Sequence, residues 1–214
     1  MNRSRLGVVT GLQAEARWLK QAGFMIRAGG GTPKGARSAA QALVDQGAEA
    51  LLSFGLAGGL QPGLHPGTVL VPPCVITQTE TYECDPALIS FLGGATPAPL
   101  LAGQHIAATV AEKSVLYQQY NATAIDLESG EVAEIARQNA LPFAVLRAVT
   151  DPAERPLPPA ALVALKDDGS LDVIRLLRSI LRQPGQIPGL LKIGQDAKAA
   201  RRTLLERLKA ISGD

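Results

Sequence analysis

Short apolar runs alternate with stretches of helical spacing along most of this chain. Leu6-Gly7-Val8-Val9-Thr10 is an unbroken run closed by Gly11, and Gln13 to Ala22, with Ala14, Ala16, Trp18 and Leu19, follows as a helix-like stretch. Phe24 to Ala28 predicts a second strand, running into Gly29-Gly30-Gly31-Thr32-Pro33, where Thr32 can cap and Pro33 can open a helix through Val44. Ala50 to Phe54 predicts a third, buried strand that enters an apparent glycine-rich turn, Gly55 to Gly59. Thr68 to Thr79 is rich in Val and Ile and broken by Pro72-Pro73, which predicts two strand pieces meeting at a bend.

Farther along, Asp85 to Gly103 reads as loop, Ile106 to Val110 as a strand and Glu112 to Tyr120 as a helix. Thr123 to Ile125 then reads as a strand, Ser129 to Asn139 as a helix and Phe143 to Thr150 as a strand ending at Asp151-Pro152. Beyond Pro159 the pattern is helical, with Val173, Leu176, Leu177 and Ile180 on one face and Leu204, Leu205, Leu208 and Ile211 on another. Repeating β-loop-α units predict one α/β domain over residues 1–214, with a helical tail from about residue 160.

Composition narrows the class. Apolar residues at 46% and charged residues at 19% describe a globular chain, not a disordered one. A net charge of +2, with Lys and Arg spread through the first 170 positions, argues against nucleic acid as a partner. Cys74 and Cys84 form no CxxC pair and have no zinc spacing with His65 and His105, so reduced thiols and no metal site are expected. The opening MNRSRLGVVTG is too short an apolar run for a signal peptide, and no stretch approaches the ~20 apolar residues of a membrane span; a cytoplasmic location is expected.

Three acids sit where an α/β fold places ligand-binding groups: Glu15 after the first strand, Glu128 after Thr123 to Ile125, and Asp151 after Phe143 to Thr150. Strand ends also carry Asp and Glu simply as turn or capping residues. Their context favours chemistry. Thr10-Gly11-Leu12-Gln13-Ala14-Glu15-Ala16 is similar to the first-strand motif of the nucleoside phosphorylase and nucleosidase superfamily, in the branch of methylthioadenosine/adenosylhomocysteine nucleosidase. Ser53 to Leu60 with Gly67 to Val71 resembles its glycine motif and following strand. Ala124 to Ser129 with Pro142 to Asp151 resembles its signature region.

The resemblance implies an α/β fold with a mixed, largely parallel central sheet flanked by helices, a purine nucleoside as substrate, cleaved at its N-glycosidic bond, and a homo-oligomer. Asp151 resembles the acid that protonates purine N7, a donor that leaving-group chemistry needs. Glu128 matches the ribose-binding glutamate, suited to a developing oxocarbenium ion. Glu15 corresponds to the glutamate that holds and deprotonates attacking water, with Arg147 as its neighbour near the nucleophile. Gly58 and Leu56 fall in the glycine motif; Leu56 stands where the branch often has serine or threonine. Leu127 replaces the methionine beneath the sugar, a volume-conserving change. The aromatic expected to stack on the base has no clear counterpart; Tyr82, Phe91 and Tyr117 are candidates or packing residues.

Gly29-Gly30-Gly31 is either a tight turn or an anion cradle, in which Gly30 and Gly31, assisted by Arg17 or Arg147, would bind phosphate as co-substrate. It makes no dinucleotide fingerprint, and no cofactor is expected. A narrower resemblance is to the bacterial hopanoid-associated phosphorylases. It rests on Ser53 to Gly59, Glu112-Lys113-Ser114, Lys166-Asp167-Asp168-Gly169 and Arg182-Gln183-Pro184-Gly185-Gln186, and implies removal of adenine from a lipid-linked nucleoside, adenosylhopane. The basic, Leu-rich tail, including Arg175, Arg178, Arg182, Lys192, Lys198, Arg201 and Arg202, either touches a membrane surface or packs on the domain with its charges solvated. Two other readings remain: a general methylthioadenosine/adenosylhomocysteine nucleosidase, and a non-catalytic nucleoside-binding protein, which would have no need of an acid facing the leaving group.

Overall fold

The first apolar run forms a strand buried along its length, β1 (Leu6–Thr10), and the chain then winds a mixed sheet around it. The computed structural model describes residues 3–19, 23–163, 178–179 and 181–212. The other strands are β2 (Met25–Ala28), β3 (Ala50–Gly59), β4 (Val69–Leu70), β5 (Cys74–Ile76), β6 (Thr81–Glu83), β7 (Leu100–Ala102), β8 (Ala124–Asp126) and β9 (Phe143–Asp151). The helices are α1 (Gln13–Trp18), α2 (Pro33–Asp45), α3 (Pro86–Phe91), α4 (Val110–Tyr120), α5 (Ser129–Gln138), α6 (Pro159–Val163) and α7 (Ile187–Ser212). The apolar face at Val173, Leu176, Leu177 and Ile180, the Lys166 to Gly169 motif, Arg175 and the end of the first helix at residues 20–22 lie outside the described residues.

Strand order is β2-β1-β3-β8-β7-β5-β6, with β9 pairing both β3 and β4. Pairing is parallel for β1 with β2 and β3, β3 with β9, β5 with β7 and β7 with β8; it is antiparallel for β3 with β8, β4 with β9 and β5 with β6. The expected largely parallel α/β sheet is therefore present.

Thr32 caps α2 as expected, its hydroxyl accepting from the Gly35 N–H at 3.1 Å with Pro33 opening the helix. Ala36, Ala40 and Leu43 of α2, with Val132 and Ala136 of α5, cover one face of the sheet against Val9, Leu51 and Val145. Leu88 of α3 and Ala200, Leu204 and Leu208 of α7 cover the other face against Val8, Phe54 and Leu146. The apolar stripe of the tail is thus packed on the sheet at Ala200, Leu204 and Leu208, while Lys192 and Arg202 remain solvated.

Several local expectations are corrected. Gly55 to Gly59 is not a turn but the second half of the ten-residue β3, paired with β9 through Gly58 with a register shift between Ala57 and Gly58. Asp85 to Gly103 contains α3 and β7: the Asp85 carboxylate accepts from the Leu88 N–H at 2.9 Å and Pro86 opens the helix. Ile106 to Val110 is no strand. The Ala108 N–H goes to the Glu112 side chain at 2.9 Å, the Ala108 carbonyl accepts from Leu157 N–H at 2.8 Å, and Thr109 caps α4, so these groups are spent outside any ladder.

Candidate active site

A cavity of about 240 Å³ opens where the ends of β1, β8 and β9 meet the second half of β3. Glu15, Glu128, Arg147 and Asp151 all line it, as do Leu56, Gly58, Leu127 and Gly31. Residues remote in sequence and paired only by resemblance are brought to one place.

Arg147 is the electrostatic centre. It projects from β9, is 1% exposed, and its Nη2 lies 2.7 Å from Asp126 Oδ2 and 2.8 Å from Glu128 Oε2. Nη2 also donates to Ser53 Oγ at 2.8 Å and Nη1 to the Leu56 carbonyl at 3.2 Å. Ser129 at the start of α5 ties the ring together, its N–H donating to Asp126 Oδ1 at 3.1 Å and its hydroxyl lying against Asp126 Oδ2 and Ser53. Burial works against the guanidinium's charge, but Asp126, Glu128 and Glu15 hold its pKa above the usual arginine range.

Glu15 is set by the start of α1. It occupies the third helical position, and its Oε2 reaches back to accept the N–H of Leu12 at 2.8 Å. Its other oxygen accepts the Leu56 N–H at 3.1 Å, linking α1 to β3. Burial raises its pKa, opposed by Arg147 and by the N–H groups of Leu12, Leu56 and Gly11. Glu128 precedes α5, and burial pushes its carboxyl up to about 7, opposed by Arg147 and reinforced by Asp126 and Glu15. Three carboxylates thus share one arginine.

Asp151 ends β9 and meets a different partner. The Nζ of Lys113, on α4 and fully buried, lies 2.7 Å from Asp151 Oδ2, while the Thr150 hydroxyl donates to Oδ1 at 3.0 Å. Burial raises the Asp151 pKa, and Lys113, Thr150 and Arg155 pull it back. Arg147 stands opposite Gly55 and Asp151 opposite Gly58 in the β3–β9 ladder, three residues apart on β3. That spacing puts the β3 backbone positions facing Arg147 and Asp151 about 10 Å apart along the strand.

Not every expected residue joins the site. Gly30 and Gly31 adopt φ of +78° and +72°, so the glycine run serves a turn; Gly31 lines the cavity and Gly30 does not. Arg17 is exposed, because two residues from Glu15 on a helix is a different face, and it does not reach the cavity. Tyr82 donates to Glu134 at 2.9 Å, Phe91 is partly buried against the core and Tyr117 of α4 packs against the cluster of Leu60, Leu101 and Ile125; none lines the cavity. The ring that does is His105, paired to Glu112 at 3.1 Å.

Sequence reading also passed over Lys113, Asp126, Ser53 and Ser129 as site residues. Asp126 followed three residues later by Ser129 carries a helix-start signal, whereas nothing local marks Lys113 for burial. Among the described residues no group of three or more His, Cys, Asp or Glu side chains is arranged to hold a metal ion, and no helix is long and apolar enough to cross a membrane.

A sequence profile described as the Phosphorylase superfamily matches residues 8–93 and 95–182. No curated protein matches the chain. Among solved structures, 5′-methylthioadenosine/S-adenosyl homocysteine nucleosidase of Helicobacter pylori is similar with a TM-score of 0.73 at 12% identity, over 99% of this chain and 98% of that one. The S-adenosylhomocysteine nucleosidase of Streptococcus pyogenes, in complex with 5-methylthiotubericidin, gives 0.65 at 15% identity, over 92% and 98%. A futalosine hydrolase mutant of Helicobacter pylori gives 0.68 at 12% identity, over 96% and 98%. At these identities the likeness is one of fold.

Proposed function

The chain belongs to the phosphorylase superfamily, and on that premise we propose that it hydrolyses the N-glycosidic bond of a 5′-substituted purine nucleoside, releasing adenine. One observation carries this reading: an acid, Asp151, and a separate carboxylate–arginine cluster, Glu15, Glu128 and Arg147, line one cavity. Asp151 gives its proton to the base as the C–N bond breaks and its electron pair moves onto the purine. Glu128, anchored by Arg147, accepts hydrogen bonds from the ribose hydroxyls and stabilises the positive sugar. Glu15 takes the proton of the water that bonds to the sugar carbon. The S. pyogenes nucleosidase, with its bound 5-methylthiotubericidin, is a neighbour of matching chemistry.

Water is favoured over phosphate by charge. Glu15, Glu128 and Asp126 surround a single Arg147, and Glu15 already takes the N–H groups of Leu12 and Leu56. An entering phosphate dianion would meet like charge with few free donors. No cofactor enters the reaction as written.

For the 5′ substituent, the narrower resemblance to hopanoid-associated phosphorylases points to adenosylhopane. Apolar Leu56, Ile106, Leu127 and Leu157 on the cavity wall suit a large hydrocarbon group. Adenine release from adenosylhopane and from methylthioadenosine, each with and without phosphate, tests the reading, with Asp151→Asn as control. Release from adenosylhopane without phosphate is expected. Comparable release from methylthioadenosine would make the protein a general nucleosidase, and release from neither would leave a nucleoside-binding protein.

A further inference from the structure

Lys113 sits outside the cavity wall, behind Asp151. An ammonium has three N–H donors and no acceptor, and all three are used here: on Asp151 Oδ2 at 2.7 Å, the Pro152 carbonyl at 3.0 Å and the Arg155 carbonyl at 3.1 Å. The cradle is itself anchored, since the Arg155 side chain pairs with the buried Asp196 of α7. The buried Nζ is thus fully hydrogen-bonded, and one of its three bonds is directed at the one carboxyl assigned to proton transfer.

We infer that Lys113 is a positioning residue of this site: its ammonium fixes the Asp151 carboxyl at the cavity wall and carries the countercharge when the Asp151 proton leaves for the departing base. The inference rests on the proposed nucleosidase reading for its functional half. The proton passes from the Asp151 carboxyl to a purine nitrogen, the glycosidic electron pair goes to the base, and Lys113 keeps its own protons throughout. Burial alone would make Asp151 a weak acid that holds its proton; Lys113 counters this and makes the donor stronger. The charged groups acting on Asp151 are Lys113 from α4 and Arg155 from the loop after β9; Asp196 of α7 pairs with Arg155, and Glu154 lies in the field of Lys113 and His65.

The first test needs no substrate. Carbon-13 carboxyl NMR of the empty protein, with Asp151→Asn to assign the signal, follows the Asp151 titration in wild type and in Lys113→Met. Loss of the ammonium should move that titration up by about one pH unit or more; an unmoved titration overturns the inference. Should Lys113→Met not fold, the wild type still decides. Its Lys113 ammonium signal should be slowly exchanging and displaced in Asp151→Asn, and a rapidly solvent-exchanging Lys113, or a signal that Asp151→Asn leaves in place, overturns it. Turnover adds the functional arm. Lys113→Met should lower the plateau kcat at least tenfold, leave KM within twofold and shift the alkaline limb to higher pH, and Lys113→Met with Asp151→Asn should be no slower than Asp151→Asn alone. A fall in kcat with an unmoved limb, additive in the double variant, would mark Lys113 as structural only. If no nucleoside is cleaved at all, the nucleosidase reading fails while the titration arms still judge the pair.

Discussion

Gly55 faces Arg147 across the β3–β9 ladder with no room for a side chain between them: a β-carbon on Gly55 would lie 2.7 Å from Arg147 Nη1 and 2.7 Å from Glu15 Oε1. Its φ of +152° also lies where L residues are strained. Gly55→Ala is therefore expected to destabilise the protein by about 1–3 kcal/mol and to abolish most turnover by displacing both side chains. Urea unfolding gives the first quantity and adenine release the second; an active, fully stable variant would show that the cluster tolerates displacement.

Glu15→Gln keeps the shape of the α1 cap but removes the base. One amide oxygen can still accept from Leu12 or Leu56, but the NH2 group then faces the other N–H, so stability should fall by about 1–3 kcal/mol. Loss of a positioned general base should lower kcat by about 10²- to 10⁴-fold with KM little changed. The phosphate arm discriminates: if the nucleophile is water, added phosphate does not restore the rate, and if it does, phosphorolysis replaces the hydrolytic assignment.

Glu128 ties stability to pH. Burial raises its pKa from the usual 4.5 to about 7, so between those values the folded state binds more protons than the unfolded one. Stability therefore falls as pH rises: the contribution is fully present below pH 4.5 and lost as pH climbs through about 7. Glu15, raised in the same direction, adds to the same slope. The urea midpoint of the ligand-free protein should be higher at pH 5 than at pH 8, and Glu128→Gln should reduce that difference. An equal difference in the variant would assign the slope elsewhere.

How far the sequence carries depends on whether a residue's role is local. β1, the Thr32 cap and the α2 start were readable because their signals lie within a few positions of one another. The Gly55 to Gly59 error arose because glycine there makes room for Arg147 and Glu15, partners distant in the chain, and not for a turn. Family motifs located Glu15, Glu128, Arg147 and Asp151, which line one cavity. Lys113 lay in a motif noted only as a subfamily marker, since its burial depends on how α4 packs against the loop after β9. Arg17, two residues from Glu15 in sequence, falls on another face of α1, a separation that only the helix reveals.

The tail supplies a contrast within one helix. Leu204 is fully buried among Val8, Phe54 and Leu146, whereas Leu191, thirteen residues earlier on α7, is 65% exposed. If α7 is part of the domain, Leu204→Ala leaves a cavity against the sheet and should cost about 2–5 kcal/mol, and Leu191→Ala should stay within about 0.5 kcal/mol. Because Asp196 on the same helix holds Arg155, whose carbonyl receives Lys113, loosening α7 should also reach the acid. Leu204→Ala is accordingly expected to lower kcat under conditions where it remains folded, and Leu191→Ala to leave it unchanged. Unfolding curves and turnover on the two variants check both halves. A Leu204→Ala protein as stable as wild type would mean that α7 contributes little to the fold, and full activity in a destabilised one would disconnect the helix from Asp151.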